Sequence, residues 1–412
     1  MMTIHRVSAG DGYTYYTNEV ASADERRDRK RELSDYYLDS GAPPGQWMGS
    51  GMKGHFEISG EVTEQQMRDL FGGGKRPDAQ SIRDKKNGVV DERSLLLGNP
   101  YAVYPGFHKE FTEAVTQAIN DWREDNQGAE PNRRERSQIR RHVARELFIA
   151  DRQREPINDD ELTRFLTTQT STSMQAVAGF DLTFSVPKSV SVMWALGDKE
   201  LRERIEAAHI DAIKDTLKWL EAEVIGSRVG RNGVRRVQVD GVMAARFRHY
   251  DSRAGDPQLH DHLVVSNKVF VPFGFKNDDG TPAGVWRTID SKALYKATVA
   301  SSTRYDNALM TRLNRDLGIA FEQRGGDGQA LKMEASMVPE ALVERFSTRR
   351  VSIKGRLDQL VGDYERMHGY RPGRVAMMRL AQRATLETRQ AKDHTPLAER
   401  LDQWRRASDQ RW

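Results

Sequence analysis

The chain contains no cysteine. That excludes disulfides and thiolate metal ligands, and it fits a reducing compartment without demanding one. No run approaches eighteen consecutive apolar residues, and the opening MMTIHRVSAG lacks the apolar core of a signal peptide. A soluble, cytoplasmic protein with no membrane insertion is therefore expected. The phosphate-gripping pattern G-x-x-x-x-G-K-[ST] is missing too, since GGGK at 72–75 lacks the spacing and is followed by Arg76. These residues hold no nucleotide-driven motor. An excess of one charge is nearly absent: 64 Lys and Arg face 60 Asp and Glu, a net charge of +4. Any nucleic-acid footprint must then be a local patch.

What is present begins with an ordinary globular composition, 37% hydrophobic over 412 residues, enough for two or three domains of about 150 residues. Three basic stretches could form a patch: RRDRKR at 26–31, RRERSQIRRH at 133–142 and RVGRNGVRR at 228–236. Each also suits a solvated helix face or loop.

Three of the ten histidines, His249, His260 and His262, fall within FRHYDSRAGDPQLHDHLVVSN. His260 and His262 open LHDHLVVSNKVFV, which reads as a strand, so both imidazoles share one face. His249 ends an earlier strand-like run, and Gly255, Asp256 and Pro257 supply turn residues between them. A hairpin would bring the three side by side. Neutral imidazole is the commonest metal ligand, and three protein nitrogens leave coordination positions open for substrate. Zinc, manganese, iron and nickel all fit, and magnesium does if phosphate and water oxygens complete the shell.

Tyrosines gather at the other end. Five of twelve, Tyr13, Tyr15, Tyr16, Tyr36 and Tyr37, lie within the first forty residues. Packing accounts for many tyrosine doublets. A phenol is a poor nucleophile near neutral pH, and it needs an electrophile that is already polarised. A metal holding a phosphodiester would supply one.

Several blocks together resemble the MobF class of conjugative relaxases within the HUH single-strand endonucleases. They are YTYYT, DYYLDSGAPPGQWMGSG, GFDLTFSVPKSVSVMWALGD at 179–198 and FRHYDSRAGDPQLHDHLVVSN at 247–267, with weaker matches in WRTIDSKALYKA and RFSTRRVSIKGRL. The resemblance implies that His249, His260 and His262 bind a divalent ion (magnesium, manganese or zinc) and that Tyr15, first of its doublet with Tyr16, is the nicking nucleophile. Tyr36, beside Tyr37, matches the second tyrosine of the family. Asp181 matches the acidic residue that orients a ligand histidine or accepts the tyrosine proton, and Arg253 an arginine near the scissile phosphate. The implied partner is single-stranded DNA at a plasmid transfer origin, flanked by a hairpin. Relaxosome and conjugative secretion proteins are further implied partners, and the chain is expected to act as a monomer. Trp47, Lys188, Arg228, Arg231 and Arg235 are candidate DNA contacts, Trp47 suiting a core anchor equally well.

Two departures stand out. The family carries a hydrophobic residue between its paired histidines, whereas this chain has Asp261 there. Roughly a hundred residues also separate LFGGGKRPDAQ from GFDLTFS, longer than in better-known plasmid members.

The expected fold is α+β, a central antiparallel sheet with helices on one face, plus a helical insertion and a helical C-terminal region. Residues 1–75 would carry the tyrosines, 76–178 the insertion, 179–330 the sheet core with the metal site, and 331–412 the helical remainder. The helical ending at Trp412 suggests a piece of a longer protein. Competing readings are a three-histidine hydrolase that activates water, an HUH replication initiator, and a DNA-binding regulator with a structural metal.

Overall fold

The computed structural model describes residues 1–18, 43–56, 58–101, 108–126, 131, 133–170, 176–276, 282–325, 331–389 and 395–409. Tyr36 and Tyr37 lie outside them. The chain forms two compact units, Met1–Pro100 with Val177–Trp412, and Tyr101–Ala176.

In the larger unit, MTIHRVS forms the strand its β-branched residues suggest, β1 (Met2–Ser8). Next come β2 (Gln46–Met48), β3 (Val177–Ser185), β4 (Ser227–Val229) and β5 (Arg235–Val237). They are followed by β6 (Ala244–Asp251), β7 (Pro257–Ser266), β8 (Lys268–Lys276), β9 (Pro282–Thr288), β10 (Phe321–Arg324) and β11 (Lys332–Ala335). Five of these build the expected antiparallel sheet, in the order β1-β3-β7-β6-β2. The chain thus puts β7 at the centre and both strands from its first fifty residues at the edges.

Alternation sorts the sheet into two faces. Phe180, Leu182 and Phe184 of β3 and Leu259, Leu263 and Val265 of β7 belong to one buried core with residues from several helices. The helices are labelled in chain order, with several short ones left unlabelled. The first, α1 (Thr14–Asn18), carries the tyrosine doublet. The smaller unit holds α2 (His108–Asp125), α3 (Arg133–Arg152) and α4 (Asp159–Thr170), closed on its own core of Phe111, Val115, Val143, Ala144 and Leu162. Residues 76–100 pack with the larger unit, where Arg83 pairs with Asp69 at 2.9 Å.

Against the sheet lie α5 (Lys188–Leu196), α6 (Lys199–Trp219) and α7 (Thr298–Leu317). Asp198 caps α6 by accepting from the Leu201 amide at 2.8 Å, and Ile205, Ala208, Ala212, Ile213 and Leu217 recur at helical steps along its buried face. α7 stops where Gly318 takes the left-handed conformation, φ +67°. Beyond it α8 (Thr348–His368), α9 (Arg374–Glu387) and α10 (Leu397–Asp409) complete the unit.

The last of these helices reaches back to the sheet. Trp404 is buried, meets Trp194 edge-on at 6.2 Å and donates its indole N–H to the Gly255 carbonyl at 2.8 Å. Trp404→Ala should lower unfolding free energy by about 3–5 kcal/mol, the usual loss for a buried large aromatic. A denaturant titration would register this as a lower midpoint at unchanged slope.

Candidate metal and tyrosine site

On β6 and β7 the register pairs His249 with His260 and Phe247 with His262. Directly opposed residues share a face, so the two strands bring all three imidazoles together. Their ring centroids are 4.9–5.2 Å apart, and one nitrogen from each can be chosen so that all lie within 4.8 Å of one another. The outer nitrogens are already oriented. His260 Nδ1 is 2.7 Å from the Gln258 carbonyl, an acceptor only, which places the proton on Nδ1. His262 Nδ1 lies 2.8 Å from Asp181 Oδ2, with Thr183 Oγ1 at 3.3 Å. Asp181 comes from β3, one strand over, and is buried. Both rings are thus held with Nε2 as the lone-pair nitrogen, the arrangement of carboxylate- or carbonyl-backed histidine ligands. The donor set fits a divalent ion.

The tyrosine helix meets this cluster edge-on. Tyr15 lies 6.0 Å from the His262 ring and Tyr16 5.6 Å, between centroids. The two are not equivalent. Tyr16 is 4% exposed and stacks on Phe247 at 6.0 Å, whereas Tyr15 is 38% exposed. Tyr13 is buried as well, its hydroxyl accepting from Arg68 Nε at 3.3 Å.

The turn between the histidine strands is held from several sides. Asp256 is buried and accepts from Thr348 Oγ1 at 2.8 Å, at the start of α8. Gly255 has φ +75°, a left-handed backbone conformation that favours glycine, and it lies against the Arg400 guanidinium of α10. Arg253, half-buried, belongs to this turn.

Behind the imidazoles, on the helix-packed face, lies a buried ionic cluster that sequence reasoning passed over. Asp261 is fully buried between the two β7 histidines. Its Oδ2 accepts from Arg246 Nη1 at 2.7 Å and Arg248 Nη2 at 3.1 Å, and its Oδ1 from Arg248 Nε at 2.9 Å. His209 Nε2 of α6 stands 3.3 Å from Oδ1, and its Nδ1 is 2.7 Å from the Tyr305 hydroxyl of α7. Arg248 also donates to Glu206 at 2.7 Å. Burial pushes the Asp261 carboxyl up, but Arg248, then His209 and Arg246, outweigh it and hold the group well below the usual carboxylate range. The available signal was the alternation Arg246, Arg248 facing Asp261, which looks like surface polarity until the helices cover it.

The expected DNA contacts fare differently. Trp47 is buried and gives its indole N–H to Gln66 at 2.9 Å, so its ring is a core anchor and offers no open face to a base. Lys188 Nζ donates to the Pro257 carbonyl at 2.6 Å, bracing the histidine turn from below. Arg228 is engaged by Asp290 at 2.8 Å, while Arg231 and Arg235 are exposed on the β4–β5 ribbon. One long basic tract was overlooked: residues 348–389 hold ten Lys and Arg against four Asp and Glu. Counting charge by segment would have found it.

The family model for the TrwC relaxase matches residues 9–411. The chain belongs to the TrwC relaxase family. Two proteins named multifunctional conjugation protein TraI, from Escherichia coli and its strain K12, are 31% and 29% identical over 237 and 230 residues. Each alignment covers 55% of this chain and 11% of the relative, so the chain spans about a ninth of the curated relatives it matches. Among solved structures it is similar to the conjugative relaxase TrwC in a copper-bound complex with oriT DNA, with TM-score 0.53 at 22% identity. A second TrwC structure, complexed with a 27-mer comprising the recognition hairpin and the cleavage site, gives 0.51 at 21%. Both matches cover 99% of this chain and 97% of the other, and they show that this family member has the relaxase fold.

The Lys188 bond carries a pH signature. Burial lowers its ammonium from the ordinary 10.5 to about 8, with Asp256 and Glu334 opposing. A lysine lowered in the folded state costs stability while charged, so the penalty is full below pH 8 and is relieved as pH climbs toward 10. Lys188→Met should remove this upward slope, measured as unfolding free energy at pH 7.5 and 9.5.

Proposed function

We propose that this chain is a conjugative relaxase that cuts one DNA strand at a plasmid transfer origin and later rejoins it, with Tyr15 as nucleophile. The observation that carries the reading is the Tyr15 phenol standing solvent-accessible at the edge of a three-imidazole cluster while its neighbour Tyr16 is buried. An attacking oxygen has to be reachable by a phosphodiester, and only the first of the doublet is open.

In the step proposed, Tyr15 Oη forms a bond to the scissile phosphorus as the bond from phosphorus to the 3′ oxygen breaks. The phenol loses its proton and the departing 3′ oxygen gains one, leaving a 5′-phosphotyrosine and a free 3′ hydroxyl. One phosphodiester replaces another, so the 3′ hydroxyl can reverse the step and no nucleotide is consumed. A divalent ion on His249, His260 and His262 would polarise a non-bridging oxygen, and magnesium, manganese and zinc are the candidates. Asp181 is hydrogen-bonded to the His262 ring, and Arg253 in the neighbouring turn is proposed to meet phosphate charge. Tyr36 and Tyr37 are proposed for the second transfer on their sequence match alone. Single-stranded DNA beside a hairpin is the proposed substrate, with relaxosome and secretion proteins as company.

The test uses a single-stranded oligonucleotide from the chain's own transfer origin, with covalent adduct read on a denaturing gel. Wild type should form the adduct, excess chelator should suppress it, and Tyr15→Phe should cut it by at least about a thousandfold with DNA affinity little changed, a barrier increase of roughly 4 kcal/mol. Adduct at the wild-type rate in Tyr15→Phe would move the nucleophile. Cleavage with no adduct at all would favour a water-activating hydrolase.

The exposed ribbon gives a second test. Neutralising Arg231 and Arg235 together should reduce the slope of log affinity against log salt by roughly 1.4, the value for two phosphate contacts on a single strand. Arg228→Gln should change it far less, because that side chain is committed to Asp290.

A further inference from the structure

We propose that Asp261 is a positioning residue: its carboxylate, clamped by Arg246 and Arg248, sets the β6–β7 register that brings His249, His260 and His262 within reach of one metal ion. The proposal rests on the metal-site part of the function proposed above.

Between β6 and β7 themselves, few side-chain pairs distinguish one register from another. Immediately after His249 the pairing shifts at an irregularity between His249 and Asp251, so the regular ladder ends at the His249–His260 rung. Along β7 the residues after His262 are Leu263, Val264 and Val265, and aliphatic side chains of similar size distinguish poorly between neighbouring alignments. A slip of one residue is forbidden, because it would exchange the faces. A slip of two keeps every side chain on its own face. One such slip would set Arg248 opposite Leu259 and His249 opposite Gln258, away from both other histidines, and the other would set Arg248 opposite Leu263 and His249 opposite His262, changing which imidazoles face each other directly.

The ionic cluster separates these alignments sharply. In the observed register Arg248 and Asp261 are direct cross-strand partners and both carboxylate oxygens are occupied, by Arg246 at 2.7 Å and by Arg248 at 2.9 and 3.1 Å. Arg248 and Asp261 are almost wholly enclosed, and Arg246 nearly so. In a slipped register a buried guanidinium would face an aliphatic side chain, which is among the costliest errors a core can make. The cluster is also tied to the helices, through Glu206 and His209 of α6 and Tyr305 of α7, so the register is fixed against the rest of the fold as well as between the two strands.

Burying such a cluster seldom adds stability over well-packed apolar residues of similar volume. Its value would then lie in specifying one alignment. Here that alignment sets His249 directly opposite His260 with His262 diagonal to it, since Arg248 with Asp261 and His249 with His260 are consecutive rungs of one ladder whose side chains point to opposite faces.

The experiment measures zinc(II) binding to the whole chain by calorimetry against a competing chelator, at a temperature where circular dichroism reports the folded state. Asp261→Asn keeps the shape and removes the charge. It should weaken zinc binding by about 10–100-fold, the usual effect of losing a residue that orients metal ligands. A second variant, Arg246→Met with Arg248→Met and Asp261→Leu, fills the same space with apolar groups. It should melt at or above the wild-type temperature and still bind zinc at least about tenfold more weakly. This decides the matter if Asp261→Asn does not fold. Wild-type zinc affinity in either folded variant would overturn the proposal, as would an apolar triple variant that does not fold, since the cluster would then be needed for folding itself. Failure of the wild type to bind zinc would instead overturn the metal-site reading, and this proposal with it.

Discussion

Successive side chains of a β-strand leave the backbone in opposite directions, and in β6 and β7 that rule separates two chemistries by the thickness of one sheet. Phe247, His249, His260 and His262 face the tyrosine helix, while Arg246, Arg248 and Asp261 face the packed helices. Neither set could move without the other. Imidazoles that must stay ready for an ion are thereby backed by groups that cannot change places at all.

The surroundings extend the same logic outward. Each outer nitrogen of His260 and His262 meets an acceptor, and the acceptor for His262 comes from the adjoining strand. The turn that joins the histidine strands is braced by Lys188 from α5, by Thr348 at the start of α8 and by Trp404 from α10. Rigidity at the site is therefore assembled from residues nearly 150 positions away in the chain, and a functional turn on the sheet's end behaves as part of the core.

Much of this was legible in the sequence wherever a periodic pattern ran long enough. The run MTIHRVS is β1 residue for residue, FDLTFS falls within β3, and the two-residue spacing of His260 and His262 gave a shared face that the structure has. What escaped was short or hidden. β2 is three residues long inside a glycine- and proline-rich stretch, too brief for alternation to register, and it joins the sheet because Gly49, at φ +90°, lets the chain pass where a Cβ would lie 2.2 Å from the Val242 carbonyl. β11 falls within 331–412, read as helical, so its pairing with β10 was missed. Trp47 could not be assigned from sequence, since an indole beside glycines suits both a stacking platform and a core, and burial alone chose the core. Arg246 and Arg248 drew no notice in the sequence because charged residues are usually exposed, and it is the cover of α6 and α7 that buries them.

The order of strands across the sheet also has a consequence for how the chain comes to be folded during synthesis. β6 and β7 are neighbours in sequence and can pair as soon as both exist, and Tyr101–Ala176 closes on its own core without waiting for either. β1 has one partner in the sheet, β3, some 180 residues downstream, and β2 has only β6. Strands β1 and β2 must therefore join the sheet only after their distant partners exist, because contacts of such long separation form only after the intervening chain is available. Tyr15 follows directly on β1. The β6–β7 hairpin can thus hold its histidines in register before Tyr15 arrives beside them, and the neighbourhood of phenol and imidazole cluster comes into being only when the sheet is nearly complete.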